Sequence, residues 1–174
     1  MTAKDQAYLH AGFITVHAAP TWITTVLGSC VAVCLYDGSI GLGGMNHYQL
    51  ALWNGVGLAS PRYGNVAIDR LVQKMESLGG ERERMRAKVF GGASVLGGAQ
   101  DSLRIGARNI EIAWDHLQRL NIPIVASDVG GQLGRKVKFD TQTGVAKVKK
   151  LPSSAVASTQ SLMVAGGNRG VYAG

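Results

Sequence analysis

Cys30 and His47 are the residues whose types and setting could do chemistry. Cys30 follows Gly28-Ser29 and precedes the apolar run VAVCLY, while His47 closes the segment GLGGMNH seventeen positions later. A free thiol has a pKa near ~8.5 and is only a few per cent thiolate at neutral pH, so a cysteine that attacks a carbonyl needs an imidazole to accept its proton. His47 could supply that. The small residues before Cys30 would let a substrate carbonyl approach the backbone and would leave the amides around Ser29 and Cys30 free to hold an oxyanion.

The two residues can act together only if the chain folds back between them. Asp37-Gly38 is a hairpin signal in the intervening stretch. With those two residues as the loop, Tyr36 pairs with Ser39, Cys30 faces Met45, and His47 is its diagonal neighbour on the same face. A four-residue loop, 37–40, sets Cys30 directly opposite His47, whereas a three-residue loop flips the parity and separates them unless a bulge restores it. The functional reading competes with a bland one, in which Cys30 is a small buried thiol and His47 a structural imidazole.

Other readings of the same residues are weaker. Cys34 lies inside VAVCLY and reads as a core residue. Four residues along a strand place it roughly 13 Å from Cys30, too far for a disulfide, so both are expected as free thiols. CxxxC with one nearby His lacks the paired CxxC of a structural zinc site and the HExxH of a catalytic one, so no metal and no cofactor is expected. The glycines of FGGASVLGGAQ match neither GxGxxG nor a phosphate loop with its Lys-Ser or Lys-Thr.

The elements that must position Cys30 and His47 read as a strand-rich α+β domain. Strands are expected at 12–17, 31–36, 40–47, 87–90, 124–127, 135–139 and 145–149. One helix should begin near Ser60-Pro61 with a stripe of Val66, Ala67, Leu71, Met75 and Leu78; a second should run from 106 to 120 with Ile110, Ala113, Leu117 and Leu120 on one side. Strands outnumber helices and do not alternate with them, which points to stacked mixed or antiparallel sheets flanked by two or three helices. With 174 residues and 46% hydrophobic content, residues 1–151 are expected to form one domain, and the Ser, Ala and Gly-rich stretch 152–174 a disordered tail. No secretory leader and no run of eighteen apolar residues is present, so the expected location is the cytoplasm, without membrane insertion.

The formal charge is +7, and six of the eighteen cationic residues (Arg135, Lys136, Lys138, Lys147, Lys149 and Lys150) fall in one sixteen-residue window. A local basic face for an acidic partner competes here with a solubilising edge hairpin whose lysines discourage sheet aggregation. Nucleic acid is not expected as the partner. Phe139 is the one aromatic in that window, and no helix-turn-helix or RNP pattern is found.

Together the segments TVLGSCVAVCLYD (25–37), GGMNHY (43–48), AKVFGGAS (87–94), IGARN (105–109) and SDVGGQLGRKVKFD (127–140) resemble the bacterial chemoreceptor glutamine deamidases of the CheD family. The resemblance runs from about Tyr8 to Leu151. It implies a fold similar to toxin-type cysteine deamidases and a reaction that converts receptor glutamine to glutamate through a Cys thioester, releasing ammonia. It places the nucleophile on Cys30, its partner on His47 and an assisting threonine on Thr24. Ser29 and the Gly91-Gly92 turn are candidates for the oxyanion or substrate rim. The implied partners are the cytoplasmic helices of chemoreceptors and, for some members, a CheC-type phosphatase, with a non-catalytic regulatory binding module as the alternative. One departure is Gln49-Leu50-Ala51, where many members carry a proline after the leucine.

Overall fold

A computed structural model describes residues 3–94 and 100–166. Among the described residues, nine strands form two mixed sheets, and three α-helices accompany them. The strands are β1 (Asp5–Tyr8), β2 (Ile14–His17), β3 (Thr21–Leu27), β4 (Val31–Asp37), β5 (Leu42–Asn46), β6 (Arg86–Gly91), β7 (Ile124–Val129), β8 (Gly134–Asp140) and β9 (Ala146–Leu151). One sheet has the order β1-β3-β8-β9 and the other β2-β5-β4-β6-β7. The β1/β3 and β6/β7 pairs are parallel, and the remaining pairs are antiparallel. This is the α+β arrangement of mixed sheets that the sequence implies.

Strand alternation divides the core into two layers. On β4, Val31, Val33 and Leu35 face helices α1 (Gly64–Ser77) and α2 (Gln100–Arg119), packing with Ile68, Leu71, Met75, Ala113 and Leu117. Ala32 and Cys34 point the other way, into a layer shared with Met45 and Phe90 and with Ile23, Leu27, Val137 and Phe139 of the four-stranded sheet. Consecutive strand residues point to opposite faces, so a strand covered on both sides must be apolar throughout, as VAVCLY is. Burying each such Val, Leu or Ile contributes roughly 1.5–3 kcal/mol. Burial pushes the Cys34 thiol far up, so it stays protonated as a core residue.

Several elements differ from expectation. The β4-β5 loop does have four residues, but it covers 38–41 because Asp37 remains in the strand opposite Leu42. The Asp37 carboxylate is buried and accepts hydrogen bonds from the side chains of Ser39 and Arg84 and from the Glu81 amide, while Gly41 closes the turn at φ 64°. Helix α1 starts at Gly64 instead of Ser60, since 60–63 are held by a turn and by a bridge between Leu50 and Tyr63. A Cβ at Gly64 would lie 2.8 Å from both Ile112 and Tyr48, so only glycine lets the helix begin so close to α2.

Several segments were not anticipated as elements, β1 among them. TWITTVL forms β3, the interior strand joining β1 to β8, consistent with its β-branched and aromatic content. The stretch expected to be a disordered tail contains α3 (Ser153–Gly166), which packs on β3 and β8; Gln160 Nε2 donates to the Val26 carbonyl at 3.0 Å. Residues 167–174 of that stretch, and Gly97 and Gly98 of the glycine cluster, lie outside the described residues.

Candidate active site

Cys30 sits in the short connection between β3 and β4, and His47 lies just past the end of β5. Beyond the regular ladder, Val31 and Tyr48 exchange both backbone hydrogen bonds, at 3.1 and 3.0 Å. The Cys34/Met45 register continues through that bridge, so Cys30 lies opposite Gln49 with His47 as its diagonal neighbour. The register is two residues beyond the four-residue-loop expectation, yet the parity is unchanged. Thiol and imidazole therefore share the inter-sheet face, at the diagonal spacing of roughly 7–8 Å between Cα atoms.

The opposite sheet orients the imidazole. Thr25 Oγ1 lies 2.7 Å from His47 Nδ1 and 2.8 Å from the Leu9 carbonyl. A threonine hydroxyl has one proton; given to Leu9 O, it leaves Oγ1 to accept from Nδ1–H. The proton is thereby fixed on Nδ1, and the lone pair of Nε2 is free to take a proton from a thiol. Nε2 is buried and makes no hydrogen bond among the described residues. The His47 main chain is held as well, with Gly12 N–H donating to His47 O at 2.7 Å and His47 N–H to Phe13 O at 3.1 Å.

The resemblance assigned the assisting threonine to Thr24, and the geometry gives that place to Thr25. On β3, Ile23, Thr25 and Leu27 point between the sheets, whereas Trp22 and Thr24 point out through the far face. Thr24 is paired in register with Lys138, and only its backbone carbonyl turns toward the site region, accepting Leu9 N–H at 2.9 Å. A one-residue step on a strand reverses the side chain.

Burial disfavours the charged form of both side chains. Burial pushes the Cys30 thiol up to about 11, opposed by its own backbone amide, which acts on the sulfur. Burial lowers His47 to about 4, assisted by nearby His10 and opposed by the Leu9 carbonyl. The pair is thus a thiol and an imidazole rather than a preformed ion pair, and the proton must move as the sulfur attacks.

The glycine turn after β6 braces the backbone at Cys30. Gly92 N–H donates to the Cys30 carbonyl at 2.8 Å and Ala93 N–H to the Gly28 carbonyl at 2.9 Å. A Cβ on Gly91, whose φ is 107°, would come 2.2 Å from the Cys30 carbonyl oxygen, so glycine is required for this approach. The Gly92 amide is occupied and is not an oxyanion donor. Among the described residues, the Ser29 amide makes no backbone hydrogen bond outside strands and helices and the Cys30 amide is directed at its own sulfur, so both are candidate oxyanion donors beside it. The loop after β7 supports the brace in turn: Gly130 N–H donates to Gly91 O, and buried Arg135 ties Asp128 to the Gly130 carbonyl.

Asn109 is a residue that motif reading did not single out. Fully buried on α2, it donates from Nδ2 to the Ser29 carbonyl at 3.0 Å and to the Gln49 carbonyl at 2.9 Å, clamping the two chain segments that flank the site. Its own carbonyl accepts the hydroxyl of buried Tyr48 at 2.5 Å. The signal available was an asparagine inside a helix within IGARN, where its side chain disfavours the helix and needs a compensating role. A cavity of about 430 Å³ adjoins it, lined in part by Leu50, Leu52, Ile105 and Ile112. Among the described residues no cluster of three or more His, Cys, Asp or Glu is placed to hold a metal ion, and no helix is long and apolar enough to cross a membrane.

Two mixed sheets with Cys30 and His47 on the face between them make this an α+β protein. Residues 54–150 match the family model described as CheD chemotactic sensory transduction. A protein of Trichlorobacter lovleyi is 50% identical over 138 residues, covering 79% of this chain and 86% of that protein. One of Sulfurimonas denitrificans is 49% identical over 146 residues, covering 83% and 94%. Both bear the name "Probable chemoreceptor glutamine deamidase CheD". Among solved structures, YfiH of Bacillus licheniformis superposes with a TM-score of 0.40 at 16% identity, covering 63% of this chain and 49% of that one. The chain belongs to the CheD family.

Proposed function

We propose that this protein deamidates glutamine side chains of chemoreceptors, with Cys30 as nucleophile and His47 as the group that carries the proton. The observation that carries this reading is the chain of hydrogen bonds from His47 Nδ1 through Thr25 to Leu9, which leaves Nε2 basic on the face shared with Cys30. The relatives' names supply the substrate class.

In this mechanism the Cys30 sulfur bonds to the carboxamide carbon as its proton passes to Nε2 of His47. The carbonyl oxygen takes up negative charge beside the amides of Ser29 and Cys30. The carbon–nitrogen bond then breaks, His47 returns the proton, and ammonia leaves, giving a thioester. Water adds to the thioester with His47 as base; the carbon–sulfur bond breaks, the thiol is restored, and glutamate is released. Thr25 holds the imidazole throughout, and Asn109 and the Gly91-Gly92 brace hold the Cys30 backbone. A cytoplasmic location and a CheC-type phosphatase as a second partner belong to the same reading; co-purification from cell extract would test the phosphatase.

Incubation with a receptor cytoplasmic fragment, followed by mass spectrometry of its glutamine-containing peptides, tests the reaction directly. Wild type should convert amide to acid. Cys30→Ala should lose activity by about a thousandfold or more. Undiminished conversion by that variant would overturn the mechanism.

A further inference from the structure

The outer face of the four-stranded sheet carries a set of charges that folding alone does not explain. Lys136 stands directly opposite Lys149, and Lys138 directly opposite Lys147, across the β8-β9 ladder. All four project to the same side as Trp22 and Thr24, away from the inter-sheet core. Like charges directly opposed on a sheet are destabilising. Among the described residues none of the four makes an ion pair, whereas Lys4 is paired with Asp140 and Lys150 with Asp128. Trp22 lies beneath this set, with the ammonium groups of Lys138 and Lys147 at 5.1 and 5.2 Å from its ring centroid.

Protection of a sheet edge accounts for only half of the arrangement. Lysines on an edge strand discourage strand-to-strand aggregation, and β9 is an edge, which covers Lys147 and Lys149. Strand β8 is interior, paired to β3 on one side and β9 on the other, so Lys136 and Lys138 protect no edge. Their charge is directed outward from the sheet plane. Trp22 is only partly exposed and offers little free ring for stacking a base, which argues against nucleic acid.

We propose that this face docks a carboxylate-rich segment of the protein substrate and so reads the product of the enzyme's own reaction. The inference rests on the deamidase reading. Each turnover turns a neutral carboxamide into a carboxylate, so a partner with several target glutamines becomes more acidic as it is modified. Four unpaired lysines complement that growing charge and raise the encounter rate with partly converted partners. Because the lysines lie on the opposite side of the sheet from Thr25, the segment docked there is distinct from the glutamine at Cys30. An already converted stretch of the partner is retained while another glutamine is processed.

The test compares binding of two receptor fragments, one with glutamine and one with glutamate at the modified positions, to the wild-type chain and to the K136Q/K138Q/K147Q/K149Q variant. Wild type should prefer the glutamate form by about tenfold at low salt, with the preference shrinking as salt rises. The variant should lose that preference while turning over a short glutamine peptide within about twofold of wild type. Equal binding of both forms by wild type, or a preference undiminished in the variant, would overturn the proposal. So would binding of wild type to phosphatidylserine vesicles with none to either fragment. The preference should persist in Cys30→Ala, because docking needs no turnover; a wild type that keeps the preference but turns over no peptide would refute the deamidase reading alone.

Discussion

Thr24 and Thr25 are neighbours on β3 and chemically identical, yet they belong to different halves of the molecule. Thr25 is fully buried between the sheets, where its hydroxyl links the Leu9 carbonyl to the His47 ring. Thr24 is partly exposed on the outer face, in register with Lys138 beside Trp22. The inner face is buried and, around His47, built to hold one proton in one place. The outer face is wet and carries four lysines without ion-pair partners among the described residues. One strand thus borders the candidate site on one face and a set of like charges on the other, separated by the thickness of the sheet.

The contrast is most sharply tested by pH, to which the inner face alone should answer near neutrality. His47 is held at about 4 against an ordinary 6.5, so between those values the unfolded chain binds more protons than the folded one. Stability is therefore complete above about pH 6.5 and declines as pH falls toward 4, by roughly 3 kcal/mol from this group. Urea unfolding across that range should show the decline, and His47→Gln should flatten it. An unchanged slope in the variant would mean that His47 is not the buried neutral group. The kcat/KM profile should be flat through the range where a free thiol ionises, because Cys30 stays protonated up to about 11; an alkaline limb near ~8.5 would show a freely titrating nucleophile.

The two threonines come next in size. Thr25→Val removes the hydroxyl with little change of shape, freeing the His47 tautomer and leaving Leu9 O without its donor. Deamidation should slow by about ten- to a hundredfold in kcat, while Thr24→Val should stay within about twofold. A larger loss in the Thr24 variant would reverse the assignment of the two faces. The smallest effect belongs to the outer face. Lys147→Glu sets a carboxylate directly opposite Lys138 and should raise stability by roughly 0.2–1 kcal/mol at low salt, less at high salt. Equilibrium unfolding would measure it, and a destabilised variant would mean that Lys147 is not strained by its neighbour.

Much of this was legible in the sequence because it depends on local order. The apolar run VAVCLY and the turn after it make a hairpin, and hairpin parity alone returned Cys30 and His47 to one face whether the loop pairs 36 with 39 or 37 with 42. The period of Leu71, Met75, Ala113 and Leu117 likewise located both helices, although their starts moved. Strand β3 was missed because TWITTVL shows no alternation of polar and apolar residues: its inner residues face a dry core, and its outer ones include Val26 beneath α3. The helical form of residues 153–166 was hidden for a related reason, since their small apolar side chains gain order only from the sheet on which they dock.

The sequence by itself determined the candidate pair, the mixed α+β class and the concentration of positive charge near the C-terminal strands, all of which follow from residue type and short-range periodicity. Only the tertiary structure decided that Thr25, not Thr24, holds the imidazole, that Asn109 clamps the loop at Ser29, and that four lysines share one outer face. Those outcomes depend on which side of β3 meets the second sheet and on where α2 crosses the loop at Ser29. Contacts between residues 22 and 80 positions apart are fixed by the packing of layers, which no local pattern encodes.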